Sequence, residues 1–356
     1  MSKSFRIEKR PEMGLIGLVV QAAFAITLAF VASALLLEVL GFNALESFEA
    51  LRIGAIGDWE SFEGTLIQAT PLVFTGLAAG IAFRTRIWSI GQEGQLFAGA
   101  MMAYFITTLF DLPPFLMVIA VILAGALGGA LMGGLAGVLK ARFNVDVIVS
   151  TVMLNYIIVY LLSYLLTSRL WMAPGEYYLQ TAQVPEASRL PAFLSGTNLH
   201  LGVGLALLAI MIMQFILSRT TFGYELRAFG DNQVAARFKG TNPQRMTVIV
   251  LMLSGGLAGL GGVAQTFGVD FRISQTFLFG FGSAGIIIAV IAGLRPVMIG
   301  FVALLFGGLA SGGLFMQVMA DVSSAIISAM QAIILIFFLG SSVLFRYRLK
   351  RVTSDE

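Results

Sequence analysis

The chain has no cysteine among its 356 residues and a single histidine, His200, so disulfides, thiol catalysis and cysteine- or histidine-based metal clusters are excluded. Charge is scarce too: 12% of the residues are Asp, Glu, Lys or Arg against 58% hydrophobic, and the mean hydropathy is +0.91. A soluble domain of this size cannot carry that composition on its surface, which leaves an all-α, polytopic integral membrane protein. No Gly-x-x-x-x-Gly-Lys-Ser/Thr loop occurs, so the chain lacks that cradle for nucleotide phosphates. A Gly-x-Ser-x-Gly elbow is absent as well, and His200 stands alone at the head of a hydrophobic span, beyond reach of a hydrolytic triad. The expectation is a non-catalytic chain with no cofactor of its own.

Glycine, by contrast, is abundant, with 40 residues concentrated in runs such as Gly125 to Gly137 (GALGGALMGGLAG) and Gly255 to Gly262 (GGLAGLGG). Small residues let helices approach closely in a bilayer, either around a path or for packing alone. Counting roughly 20 apolar residues per crossing gives about ten spans. They are Gly14 to Leu40, Gly64 to Phe83, Gly94 to Phe110, Phe115 to Leu139, Val147 to Thr167, His200 to Leu217, Met246 to Phe267, Phe277 to Leu294, Val297 to Met319 and Val322 to Phe345. Residues 1–13 and 346–356 then flank a transmembrane domain of 14–345. The first apolar stretch is too long for a secretory signal and reads as a retained span.

Lysine and arginine orient these spans. With the N-terminus inside, all of the 22 basic residues but Arg52, Arg169, Arg189 and Arg272 fall on the cytoplasmic side, as the positive-inside rule requires. Both termini and the charged island 218–245 are then cytoplasmic. The basic groups sit at membrane edges without interleaved aromatics, so nucleic acid is not an expected partner. On the other side, Glu46, Glu49, Asp58, Glu60 and Glu63 mark an acidic loop, and Trp171 to Asn198 a second loop. These are either a surface for an extracytoplasmic partner or ordinary solvated connections.

Four segments carry polar information. Asn232 to Gly240 (NQVAARFKG) reads as one short helix, capped by Asp231 or Asn232 and ended by Gly240, with Val234, Ala235 and Phe238 on one face: the shape of a docking helix. Arg84 to Gln95 (RTRIWSIGQEGQ) puts Glu93 at the entrance to a span near the cytoplasmic face, where a clamp with Arg84 or Arg86 is expected. Ser150 to Tyr156 (STVMLNY) holds Asn155 one turn after Thr151; it either glues helices or faces a path. Gly280 to Pro296 (GFGSAGIIIAVIAGLRP) places Gly280, Gly282 and Gly285 where close approach or an irregular entry near the outer face is expected, before a tight Arg295–Pro296 turn.

Together these segments resemble the permease subunits of bacterial ABC importers in the branched-chain amino acid, ribose and nucleoside group, over about Gly64 to Gly340. SIGQEGQ is similar to that family's N-I-G-x-E-G-Q, STVMLNYI to its T-I-M-L-N-Y-I, and NQVAARFKG to its N-x-x-A-A-x-x-x-G coupling segment. Ser89 departs from the usual Asn, and Thr241 from the branched aliphatic residue that commonly follows the glycine. The resemblance implies half of a translocation pathway, completed by a homologous second permease or a second copy. Two ATPase subunits, which use the ATP and Mg, would dock on Asn232, Ala235, Ala236, Phe238 and Gly240, and an extracytoplasmic receptor would deliver the substrate. It further implies a multi-pass protein of the bacterial inner membrane, most similar to the nucleoside branch, with ribose-like sugars or branched-chain amino acids as the alternatives. Gln68, Phe74, Asn155, Tyr156, Gln265 and Phe267 are the candidates to line a nucleoside path with amides and aromatic faces. The reading of another class, a channel or secondary transporter independent of ATP, would ordinarily need carboxylates or ion ligands at mid-membrane, whereas Glu38, Asp146, Asp270 and Asp321 all fall near span ends.

Overall fold

The structure, a computed structural model, describes residues 4–9, 15–173, 175, 177–192, 196–274, 276 and 278–352. Thirteen α-helices account for nearly all the regular structure among them: α1 (Leu15–Val39), α2 (Ala44–Ile56), α3 (Trp59–Arg84), α4 (Gln92–Leu109), α5 (Pro114–Phe143), α6 (Val147–Thr167), α7 (Leu201–Arg219), α8 (Thr221–Asp231), α9 (Gln233–Phe238), α10 (Pro243–Gln265), α11 (Phe281–Ile291), α12 (Pro296–Met319) and α13 (Ser324–Arg346). A strand β1 (Ser4–Lys9) pairs antiparallel with β2 (Tyr347–Val352) in the segments that flank the spans; residues 1–3, 10–14 and 353–356 lie outside the described ones.

Every expected span has a helix at its place, but the helices are not equal. Among the described residues six, α3, α5, α6, α7, α10 (with the turn that continues it) and α12, are long and apolar enough to cross a membrane. Helix α11 has 11 residues. At 1.5 Å per residue it runs about 16 Å, half a hydrocarbon core. The acidic loop is a second correction. Glu46 and Glu49 lie on α2, which Asn43 caps by accepting from the Leu45 and Glu46 N–H, and Asp58 caps α3, which already contains Glu60 and Glu63. Both starts follow an Asn or Asp placed for the purpose, a signal the charge count obscured. Asp58 accepts from the Ser61 N–H, and these bonds hold its carboxyl below the usual range.

Two compact units divide the chain, one of Met1–Gly57 with Ser311–Glu356, the other Asp58–Ala310. In the first, α1 packs along α13, and the Ser311 hydroxyl donates to the Gly54 carbonyl at 2.9 Å over a core that includes Leu37, Ala50, Met316 and Met330. In the second, the glycine runs do what the sequence suggested. A β-carbon on Gly129 would stand 2.1 Å from the Gly255 carbonyl oxygen, one on Gly133 2.0 Å from that of Leu251, and one on Gly262 2.2 Å from that of Leu96. Helices α4, α5 and α10 therefore touch backbone to backbone, where no other residue fits.

Candidate functional site

The polar chemistry of the second unit collects at the head of α4. Arg86 ends the preceding turn with φ 58°, and Ile87 to Gly91 runs on without helix before α4 begins at Gln92. That run is tied to α6. The Thr151 hydroxyl accepts from the Ile90 N–H at 3.2 Å, the Asn155 carboxamide nitrogen donates to the Ile90 carbonyl at 2.8 Å, and its oxygen accepts from the Gly94 N–H at 2.9 Å. Asn155 thus joins helices, with both ends of its amide committed to backbone. It lies eight residues beyond Val147, the start of α6. Along the helix axis that is about 12 Å, so α4 starts alongside the middle of α6.

Helix α11 starts at the same level. The Glu93 carboxylate accepts from the Gly280 and Ser283 N–H groups, the latter at 3.1 Å, and so caps the first turn of α11 from another helix. A negative charge at a helix N-terminus meets both the unpaired N–H groups and the positive end of the dipole. Gly282 lets this happen: its β-carbon would stand 2.3 Å from the Glu93 backbone nitrogen. Thr75 on α3 sits below, its hydroxyl 2.9 Å from both the Pro71 and Phe281 carbonyls. At the other end of α11 the Arg84 guanidinium donates to the Leu294 carbonyl at 3.2 Å. The ionic clamp expected between Glu93 and Arg84 or Arg86 is therefore not formed: Glu93 takes backbone donors on α11, Arg84 takes a carbonyl, and Arg86 is exposed. Gly282 packs against Glu93 of α4 and Gly285 against Thr75 of α3.

The six path candidates do not form one lining. Phe74 (1% exposed) and Phe267 (0%) are packed into two different apolar clusters, Tyr156 is exposed on α6, Gln68 is half-buried, Asn155 is spent on α4, and Gln265 donates to the Asp270 carboxylate at 3.2 Å. That last bond spans the π-helical turn Thr266–Asp270 that continues α10. His200, which caps α7 by accepting from the Gly202 N–H at 3.1 Å, is buried against this turn. An apolar groove of about 270 Å³ among α3, α7 and α12 has Thr70 as its one hydroxyl, committed to the Leu66 carbonyl, and offers no chemistry. Sequence reading placed Gln92 and Gln95 in the polar break before the span without giving them a role, and it missed Thr75; the signal available was a pair of glutamines three apart, on one face of an otherwise apolar helix.

Residues 232–240 form the expected short helix. Asn232 caps α9 by accepting from the Val234 and Ala235 N–H, and Gly240 ends it with φ 94°. Ala236 is buried, whereas Val234 (66%) and Phe238 (89%) stand exposed. Sequence reading did not separate α8, which anchors the segment through buried Leu226 and Phe229 and through Gly230, whose β-carbon would stand 2.1 Å from the Arg84 carbonyl oxygen.

Residues 61–339 match the family model described as the branched-chain amino acid transport system / permease component. The chain is 34% identical to the guanosine ABC transporter permease protein NupP of Bacillus subtilis, over 89% of this chain and 92% of that one. It is 29% identical to the nucleoside ABC transporter permease protein NupB of Lactococcus lactis, over 81% and 82%. With the glucose ABC transporter permease protein TsgB13 of Haloferax volcanii it shares 26% identity over 80% and 77%. A multi-pass membrane protein whose polar groups gather where α4 and α11 begin, the chain belongs to the permease component family of the branched-chain amino acid type of transport system.

Proposed function

We propose that this chain is the permease subunit of an ABC importer for nucleosides in a bacterial inner membrane. The observation that carries the reading is the similarity, nearly end to end, to permeases named for guanosine and nucleosides. The chain does no chemistry on its cargo. It works with two ATPase subunits, which bind and hydrolyse ATP with Mg, with a second permease or a second copy of itself, and with an extracytoplasmic receptor. In this reading about ten crossings leave both termini and 218–245 in the cytoplasm. Asn232, Ala235, Ala236, Phe238 and Gly240 meet the ATPase, and the exposure of Val234 and Phe238 on α9 supports that assignment. Exposed apolar side chains on a polar segment are what a partner covers.

Similarity to a glucose permease favours a sugar as the second reading. Uptake of radiolabelled guanosine, uridine and glucose into proteoliposomes holding the complete complex, with receptor and ATP, tests both. ATP-dependent uptake of nucleosides in preference to glucose is the expected result. Uptake of glucose alone selects the second reading, and uptake that ignores ATP removes the importer altogether.

A further inference from the structure

Two side chains at the head of α4 have no work in the fold. Gln92 is 0% exposed and Gln95 1% exposed, yet both amide atoms of Gln92 and the amide oxygen of Gln95 have no hydrogen-bond partner among the described residues. Three apart on a helix, they share one face. A β-carbon on Gly91, or on Gly133 of α5, would come within 3.3 Å of the Gln95 amide nitrogen, so the glycines leave it room. Nearby polar groups are already satisfied: Asn155 and Thr151 hold the run before α4, and Glu93 holds α11. Buried amides without partners cost stability, and a helix that only packed here would carry Met or Leu instead.

The Gln95 amide faces Gly133 of α5, and α11 meets the same turn of α4 at Glu93. Its Gly282 lies on the Glu93 backbone, in the same turn of α4 as Gln92. The helix is a short rod with a left-handed residue at each end, Gly280 (φ 97°) before it and Gly293 (φ 60°) with Leu294 (φ 60°) after it. Its first turn is held by the Glu93 carboxylate and its far end by the Arg84 guanidinium.

We infer that the head of α4 is an occluded hydrogen-bonding station for the transported molecule, with Gln92 and Gln95 as specificity-determining residues. The inference rests on the importer reading given above and deepens it. The chemistry that fits is a neutral molecule presenting a donor and an acceptor side by side, as the edge of a nucleobase does, because a primary amide offers the matching pair. Anions are disfavoured by the Glu93 charge in the same turn.

The test uses the complete complex with its receptor and ATPase, comparing Gln92→Met and Gln95→Met with the wild type for melting temperature and for uptake of guanosine and uridine. Methionine keeps the length and removes the unpaired amide. The expected result for Gln92→Met is an unchanged or raised melting temperature with the uptake KM raised roughly tenfold, the scale of one lost hydrogen bond to the cargo. Uptake per folded complex that matches the wild type in KM and in the ranking of competing nucleosides overturns the inference, whatever the melting temperature does. Gln92→Asn, which keeps the amide but withdraws it by one carbon, serves if the methionine variants yield no complex, with a raised KM as the same criterion. A wild-type complex that imports no nucleoside sinks the importer reading itself, an outcome distinct from both.

Discussion

The two places where α4 meets its neighbours are built on opposite principles. Along α5 and α10 the contact is chiefly glycine against backbone, with Gly99 against Gly259 and Gly262 against Leu96, and the Gln95 amide against Gly133 is its polar member. At its head, against α6 and α11, the contact is made by Asn155, Thr151 and Glu93 through directed bonds to backbone. Dispersion contacts between backbones allow one distance and tolerate no rearrangement. Hydrogen bonds from side-chain ends can be exchanged for others of similar strength, including those of water or cargo. The glycine seam is therefore the frame of the second unit, and the head of α4 is where a second arrangement costs least.

Substitutions can break or sharpen that contrast. Gly129→Val places branched carbons against the Gly255 carbonyl. It is expected to cost about 3 kcal/mol or to abolish folding, measured as loss of monodisperse protein in detergent. A fully folded Gly129→Val variant would show the seam to be compliant and erase the distinction. Glu93→Ala is expected next, with about 1–2 kcal/mol lost as α11 loses its cap, and Glu93→Gln should recover part of it by keeping an acceptor. Equal loss in both variants would make the charge, rather than the acceptor, the important property.

Asn155→Ala should cost about 1 kcal/mol in thermal unfolding, as interhelical hydrogen bonds in bilayers do, and leave the ranking of imported substrates unchanged. Altered selectivity with undiminished stability would return Asn155 to the path. The smallest effect on the fold belongs to Ala235→Glu with Phe238→Glu: both sites are exposed, so stability should move by less than about 0.5 kcal/mol. Co-purification of the ATPase should nonetheless be lost, since a desolvated carboxylate replaces an apolar contact. Retention of the ATPase and of transport would remove α9 from the interface.

The sequence made most of this legible at the level of elements and little of it at the level of contacts. Helix α6 begins and ends where the apolar run does, because Asp146 caps it and the run is bounded by polar residues on both sides. The short α9 was readable from Asn232 and Gly240, since caps are local and depend on residues a few positions apart. The partner of Glu93 was not readable: Gly280 and Ser283 lie 187 and 190 positions away. Local charge pointed to Arg84 and Arg86 instead, and a backbone acceptor or donor leaves no mark in the sequence. The half-length of α11 was hidden for a related reason. Apolar residues continue past Ile291 through Ala292 and Leu294, and only the left-handed turn at Gly293 and Leu294 stops the helix.

Arg84 occupies a place in this construction that is best put mechanically. Its carbonyl is the surface on which Gly230 of α8 rests, and its guanidinium holds the Leu294 end of α11. One residue is thus the bearing for two rods: one leads out through the Asn232 joint to α9, and the other leads in to Glu93. Gly230 has no side chain to cushion that contact, so the linkage has no slack at the bearing. Gly230 lies in the last turn of α8, next to the Asn232 joint, so a displacement of α9 meets the Arg84 bearing with almost no lever arm between them.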